Sequence, residues 1–158
     1  SANAALSTEA EAAAAAMTTA ATDYIAPALE ILDTRIARKD PQTGKLRTVY
    51  DTISDNAANA GIVLGNKQHA IDAHDLRWVG AIVSRDDIVE ETGLGAGVLN
   101  DPVTSVLWLA RRMADYGQSI EPGDVILSGS FIRPIEAPSG AGFFADFGPF
   151  GSVQISFD

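Results

Sequence analysis

Glu30 stands inside a short apolar run, Pro27-Ala28-Leu29-Glu30-Ile31-Leu32, opened by proline and closed by charges. Such a run predicts a buried strand over 27–36. Alternate residues of a strand share a face, so Glu30 lies with Ala28 and Leu32. A carboxylate there loses hydration and needs a compensating charge. Arg35 falls on the other face with Asp33, and those two read as a local ion pair. Glu30 is left needing a cation. A metal ion is one answer, and an Arg or Lys from elsewhere in the fold is the other.

The remaining polar groups are scattered. Asp51, Asp55 and Asn56 form a polar knot able to order a water or to cap a helix. Ser130, beside Gly129 at a predicted strand end, can bind an anion or satisfy its own turn. Arg133, before Pro134, can face an anionic substrate or join an ion pair. Asp146, between phenylalanines, reads as a core or turn acid. His69 and His74 are five apart, which is not the helical metal spacing. Glu9 and Glu11 sit in the first turn of a predicted helix, where acids complement the dipole. Two apart on a helix, they point to opposite sides and cannot share one ion.

The elements that must position these groups come from one domain of 158 residues. Residues 1–6 are small and polar and read as a frayed end. With 21 acids against 11 bases the charge is -10, which disfavours a nucleic-acid partner. There is no cysteine, which removes disulfides and thiolate chemistry and fits a reducing cytoplasm. No apolar run is long enough to cross a bilayer.

Thr8 with Glu11 makes a capping box for an alanine-rich helix over 10–21. A short helix is predicted over 50–60, capped by Asp51 or Asp55. Strands are predicted over 61–65, 78–83 and 86–90, with Arg85-Asp86-Asp87 a tight connection. The glycine-rich stretch 92–97 is not a dinucleotide loop, because no helix opens on its last glycine. Asp101 and Pro102 start a helix whose apolar face is Val103, Val106, Leu107, Ala110 and Met113, and Gly117 ends it. A turn over 121–124 leads to a buried strand over 125–130. Strands over 142–147 and 152–157 form a hairpin, with Val153, Ile155 and Phe157 inward. The fold class is α+β, with a mixed, largely antiparallel curved sheet or roll and a few flanking helices.

Several stretches together resemble one family. They are Pro27-Ala28-Leu29-Glu30-Ile31, Leu94-Gly95-Ala96-Gly97-Val98-Leu99-Asn100-Asp101-Pro102-Val103 and the helix with Trp108-Leu109-Ala110. Pro122-Gly123-Asp124-Val125-Ile126-Leu127-Ser128-Gly129-Ser130-Phe131-Ile132-Arg133-Pro134 and Ala145-Asp146-Phe147-Gly148-Pro149-Phe150-Gly151-Ser152 complete the set. The sequence resembles the 2-keto-4-pentenoate (2-hydroxypenta-2,4-dienoate) hydratases and the related 4-oxalocrotonate decarboxylases, of the fumarylacetoacetate hydrolase superfamily. The resemblance runs in order from about Leu6 to Asp158.

That resemblance implies a cation, magnesium or manganese, held by carboxylates. Two come from a Glu-x-Glu strand and one from the glutamate of Pro-Ala-Leu-Glu, which is Glu30 here. It also implies a 2-hydroxydienoate substrate from meta-cleavage of aromatic or steroid rings, and addition of water to give a 4-hydroxy-2-keto acid. Asp51, Asp55 and Asn56 become candidates to order the water, and Ser130 and Arg133 candidates to bind the substrate. The family's Glu-x-Glu and its proton-transfer lysine have no match here. The sequence therefore reads as the C-terminal part of such an enzyme, inactive alone. Its expected partners are the missing N-terminal segment or further copies of itself, and a pathway aldolase. The decarboxylase and a non-catalytic assembly subunit stand as alternatives.

Overall fold

A computed structural model describes residues 12–158. The Thr8–Glu11 capping box and the Glu9–Glu11 pair involve residues outside that range. The described part of α1 runs over 12–20. Its Thr18 and Thr19 hydroxyls donate to the carbonyls of Ala14 and Ala15, each at 3.0 Å.

Two antiparallel sheets follow. β1 (Ala28–Leu32) pairs with β2 (Asn59–Leu64). The larger sheet has the order β4-β3-β5-β6, from β3 (Gly80–Arg85), β4 (Ile88–Leu94), β5 (Gly142–Asp146) and β6 (Ser152–Ser156). The architecture is mixed helix and antiparallel sheet, as the pattern of elements predicts. The connection between β3 and β4 is tight because Asp86 and Asp87 take φ of 49° and 66°, the left-handed values a two-residue hairpin requires.

The core lies on one face of the large sheet. Val83, Phe143, Ala145 and Val153 point inward with Phe147 and Phe150, and Ala145 is fully enclosed. Strand alternation explains the selection, since Ala81 and Val83 face in while Ile82 faces out. The outer face is also apolar. Ile82, Phe144 and Leu94 are 51%, 42% and 44% exposed, and Trp78 beside them is 73% exposed.

α3 (Pro102–Ala114) begins as its sequence dictates. The Asp101 carboxylate accepts from the Val103 N–H at 2.9 Å, Pro102 holds the first turn, and Gly117 beyond the end has φ 68°. The glycines before it allow close packing. A Cβ on Gly93 would lie 2.1 Å from the Phe131 carbonyl oxygen, and one on Gly95 would lie 2.0 Å from that of Leu76.

Four expectations need correction. β1 ends at Leu32 and Glu30 is exposed, so this is not a buried strand through Ile36. The short helix is α2 (Val49–Ser54), capped by Thr48 rather than by Asp51 or Asp55. It cannot continue to Ala60, because Asn56, Ala57 and Ala58 are left-handed, with φ of 52°, 54° and 64°. Residues 125–130 join no ladder among the described residues, so the expected buried strand does not form there; Val125 is 61% exposed and Gly129 takes φ 124°.

Candidate functional site

Glu30 lies in the middle of β1, opposite Ile62. Its Oε1 accepts a hydrogen bond from the Asn59 side-chain amide at 2.8 Å. The Asn59 carbonyl in turn accepts from the Arg35 guanidinium at 3.2 Å. Arg35 does not pair with Asp33. Strand alternation stops at Leu32, the chain bends, and Arg35 grips Asp55 instead. Its Nε donates to Asp55 Oδ1 at 2.6 Å, and its backbone N–H donates to Oδ2 at 3.0 Å. Asp55 is buried, and the Arg35 guanidinium beside it holds its carboxyl below the usual carboxylate range.

The structure thus joins Glu30 and Asp55 through Asn59 and Arg35. Asp51 and Asn56 lie on the adjoining segment with their own local roles. Asp51 closes a capping box, accepting from the Thr48 backbone at 2.6 Å and from its hydroxyl at 2.8 Å. Those bonds lower its pKa. Asn56 opens the left-handed run, a conformation that asparagine tolerates.

Ser130 and Arg133 make their bonds to other residues. The Ser130 hydroxyl donates to the Ile132 carbonyl at 2.9 Å. Arg133 pairs with Glu91 on β4 at 2.8 Å. No hydrogen bond or ion pair among the described residues links either to Glu30. Asp146 is a turn acid, accepting from the Gly148 N–H at 2.8 Å.

A groove of about 910 Å³ is lined by none of Glu30, Arg35, Asp55 and Asn59. Trp78, Ile82, Leu94 and Phe147 line it, with His74 at its rim. His69 Nε2 lies 2.7 Å from the Phe150 carbonyl oxygen, and His74 Nε2 lies 3.2 Å from His69 Nδ1.

Whether these residues suit a divalent metal can be judged from the donors. Glu30 offers a hard oxygen on an accessible face, held by a neutral amide, and this fits one ligand position of an oxygen-coordinated cation. Among the described residues no group of three His, Cys, Asp or Glu side chains could enclose one. The described part of this chain therefore fits a metal at one position and does not build a complete cage.

Reasoning from the sequence missed Asn59 and the reach of Arg35 to Asp55. The one available signal against a helix there is the presence of Asn56 and Asn59, a residue type that favours turns.

No family model matches the chain. Individual proteins do. It is 50% identical over 137 residues to the 2-oxo-hept-4-ene-1,7-dioate hydratase of Escherichia coli, covering 87% of this chain and 51% of that protein. It is 36% identical over 138 residues to a 2-keto-4-pentenoate hydratase of Paraburkholderia xenovorans, covering 87% of this chain and 49% of that one. Among solved structures, the 4-oxalocrotonate decarboxylase of Pseudomonas putida G7, complexed with magnesium and adipate, superposes with a TM-score of 0.81 at 28% identity. That match covers 91% of this chain and 52% of the other. The chain spans about half the length of the curated relatives it matches. Over that half length it is a homologue of the 2-keto-4-pentenoate hydratases and 4-oxalocrotonate decarboxylases.

Proposed function

We propose that this chain is the C-terminal portion, as a single domain of the fumarylacetoacetate hydrolase type, of a divalent-metal-dependent hydratase. The full-length enzyme adds water to a 2-hydroxy-2,4-dienoate, giving a 4-hydroxy-2-keto acid in meta-cleavage degradation. The identity of 50% to a hydratase carries this reading. That relative's name specifies a seven-carbon dioate, which favours a dicarboxylate substrate. Magnesium is the proposed cation, with manganese able to replace it, because a solved relative is complexed with magnesium. The proposed setting is the cytoplasm, and the further partners are other copies of the chain and a pathway aldolase.

When bound, the cation supplies Lewis-acid stabilisation of charge developing on the substrate. This chain contributes the Glu30 carboxylate to it. Asp51, Asp55 and Asn56 bound the polar segment next to Glu30 and are the proposed residues for ordering the attacking water. Asp55 acts from within the Arg35 pair. Ser130 and Arg133 are the proposed anion-binding groups. Each must exchange its present partner, Ile132 or Glu91, for a substrate carboxylate.

The test is loss of dienol absorbance by the full-length protein with magnesium, using 2-hydroxypenta-2,4-dienoate and its seven-carbon dioate counterpart. Formation of a 4-hydroxy-2-keto acid supports hydration. Carbon dioxide release from 2-oxohex-3-enedioate without hydration would instead assign the decarboxylase, which one relative is named for at 29% identity.

A further inference from the structure

Asn59 reaches Glu30 only because β2 carries one residue too many. The ladder pairs Glu30 with Ile62 and Ile31 with Gly61, and then Leu32 with Asn59, so Ala60 is skipped. In an unbroken ladder Leu32 would face Ala60. Asn59 would then point to the opposite side of the sheet from Glu30, because side chains alternate with a period of two. The bulge shifts that register by one and turns Asn59 onto the Glu30 face, diagonally across from it and within reach of both side chains. The observed 2.8 Å bond from the Asn59 amide to Glu30 Oε1 is the result.

The bulge is held from both strands. Before it, Asn56, Ala57 and Ala58 are all left-handed, a costly run for residues with a Cβ. It is fixed by the Asp33 N–H donating to the Ala58 carbonyl at 2.9 Å and by Arg35, which binds Asp55 before the run and the Asn59 carbonyl after it. Arg35 thus spans the strained segment from end to end. A guanidinium can do this because its donors form a rigid fork, which a lysine lacks.

We propose that Asn59, re-aimed by the Ala60 bulge and locked by the Arg35–Asp55 pair, is a positioning residue for the Glu30 carboxylate. Its neutral amide occupies one oxygen and leaves the other, on an exposed residue, without a hydrogen bond among the described residues. This rests on the reading of Glu30 as a metal ligand. An amide suits the task because it donates to the carboxylate without neutralising its charge, so the free oxygen keeps its affinity for a cation.

The test uses the full-length protein with Mn2+ alone as the probe. Affinity is read by electron paramagnetic resonance and fold integrity by thermal melting. Asn59→Leu keeps the volume and removes the donor, Asn59→Ala removes both, and Asn59→Gln keeps the amide. Asn59→Leu and Asn59→Ala are expected to weaken Mn2+ binding by about tenfold or more, the usual effect of losing a residue that orients a ligand. Asn59→Gln should retain most of the affinity, with melting temperatures close to wild type throughout. Unchanged affinity in Asn59→Leu and Asn59→Ala, while Glu30→Gln abolishes binding, would overturn the positioning role and leave the ligand reading intact. Equal loss in all three Asn59 variants would also overturn it, since the amide would then not be the cause. Unchanged binding in Glu30→Gln would overturn the ligand reading itself.

Discussion

Arg35 and Asp55 are twenty residues apart in sequence and are joined by side-chain and backbone bonds, with Arg35 Nε 2.6 Å from Asp55 Oδ1. The pair ties the end of β1 to the start of β2, across the hairpin that carries Glu30. Its carboxyl titrates below the ordinary range because of the guanidinium. A depressed carboxylate stabilises the fold fully above its unfolded value, and that contribution is lost as pH falls through the folded value. Asp55→Asn should therefore lower the melting temperature at neutral pH. The gap from wild type should close as pH drops below about 4, the unfolded carboxylate value. Parallel melting curves from pH 7 to 2, with a constant gap, would contradict this.

Gly93 and Gly95 exist for clearance. A methyl group at either would fall about 2 Å from a carbonyl oxygen of a packed neighbour, well inside contact distance. Gly93→Ala and Gly95→Ala should each cost about 1–3 kcal/mol, the range for overpacking. Urea denaturation of single variants measures it, and wild-type midpoints would refute the packing role.

The histidine pair makes a spectroscopic prediction. The Phe150 carbonyl can only accept, so His69 carries its proton on Nε2. Neutral His69 then accepts at Nδ1, and His74 must donate from its own Nε2. In their neutral forms both rings should show the Nε2–H tautomer in long-range proton–nitrogen correlation spectra. An Nδ1–H tautomer at His69 would break the relay.

Much of the fold was legible because its signals are local. Asp101 and Pro102 mark the start of α3 through capping chemistry that involves adjacent residues. The alternation of Val153 and Ile155, continued by Phe157, fixes the inward face of β6, and Asp86-Asp87 marks the hairpin turn between β3 and β4. Less was legible in the surroundings of Glu30. Its exposure, the left-handed Ala57 and Ala58, and the skipped Ala60 are products of long-range pairing that no spacing encodes. Alanine has no local preference for the left-handed region, so a helix through Ala60 was the natural expectation. The run over 125–130 shows the same limit, since its apolar start predicts a strand but a ladder forms only where another strand pairs with it.

In the full-length protein Glu30→Gln keeps the shape and removes the anionic charge. It should weaken magnesium binding and abolish most hydratase activity while leaving melting unchanged, because Glu30 is exposed and its amide bond is replaceable. Activity near wild type at saturating magnesium would exclude Glu30 as a ligand.

One comparison bears most directly on the account as a whole, that this chain supplies one carboxylate of a site completed from outside its described residues. Purified chain is incubated with 2-hydroxypenta-2,4-dienoate and magnesium or manganese, and dienol absorbance is followed with and without the remaining segment of the full-length protein. One carboxylate is too few to hold magnesium against its water shell. The expected result is a folded chain that is inert alone and gains metal-dependent turnover when that segment is supplied. Metal-dependent turnover by the chain alone would contradict the account and return attention to Glu9 and Glu11.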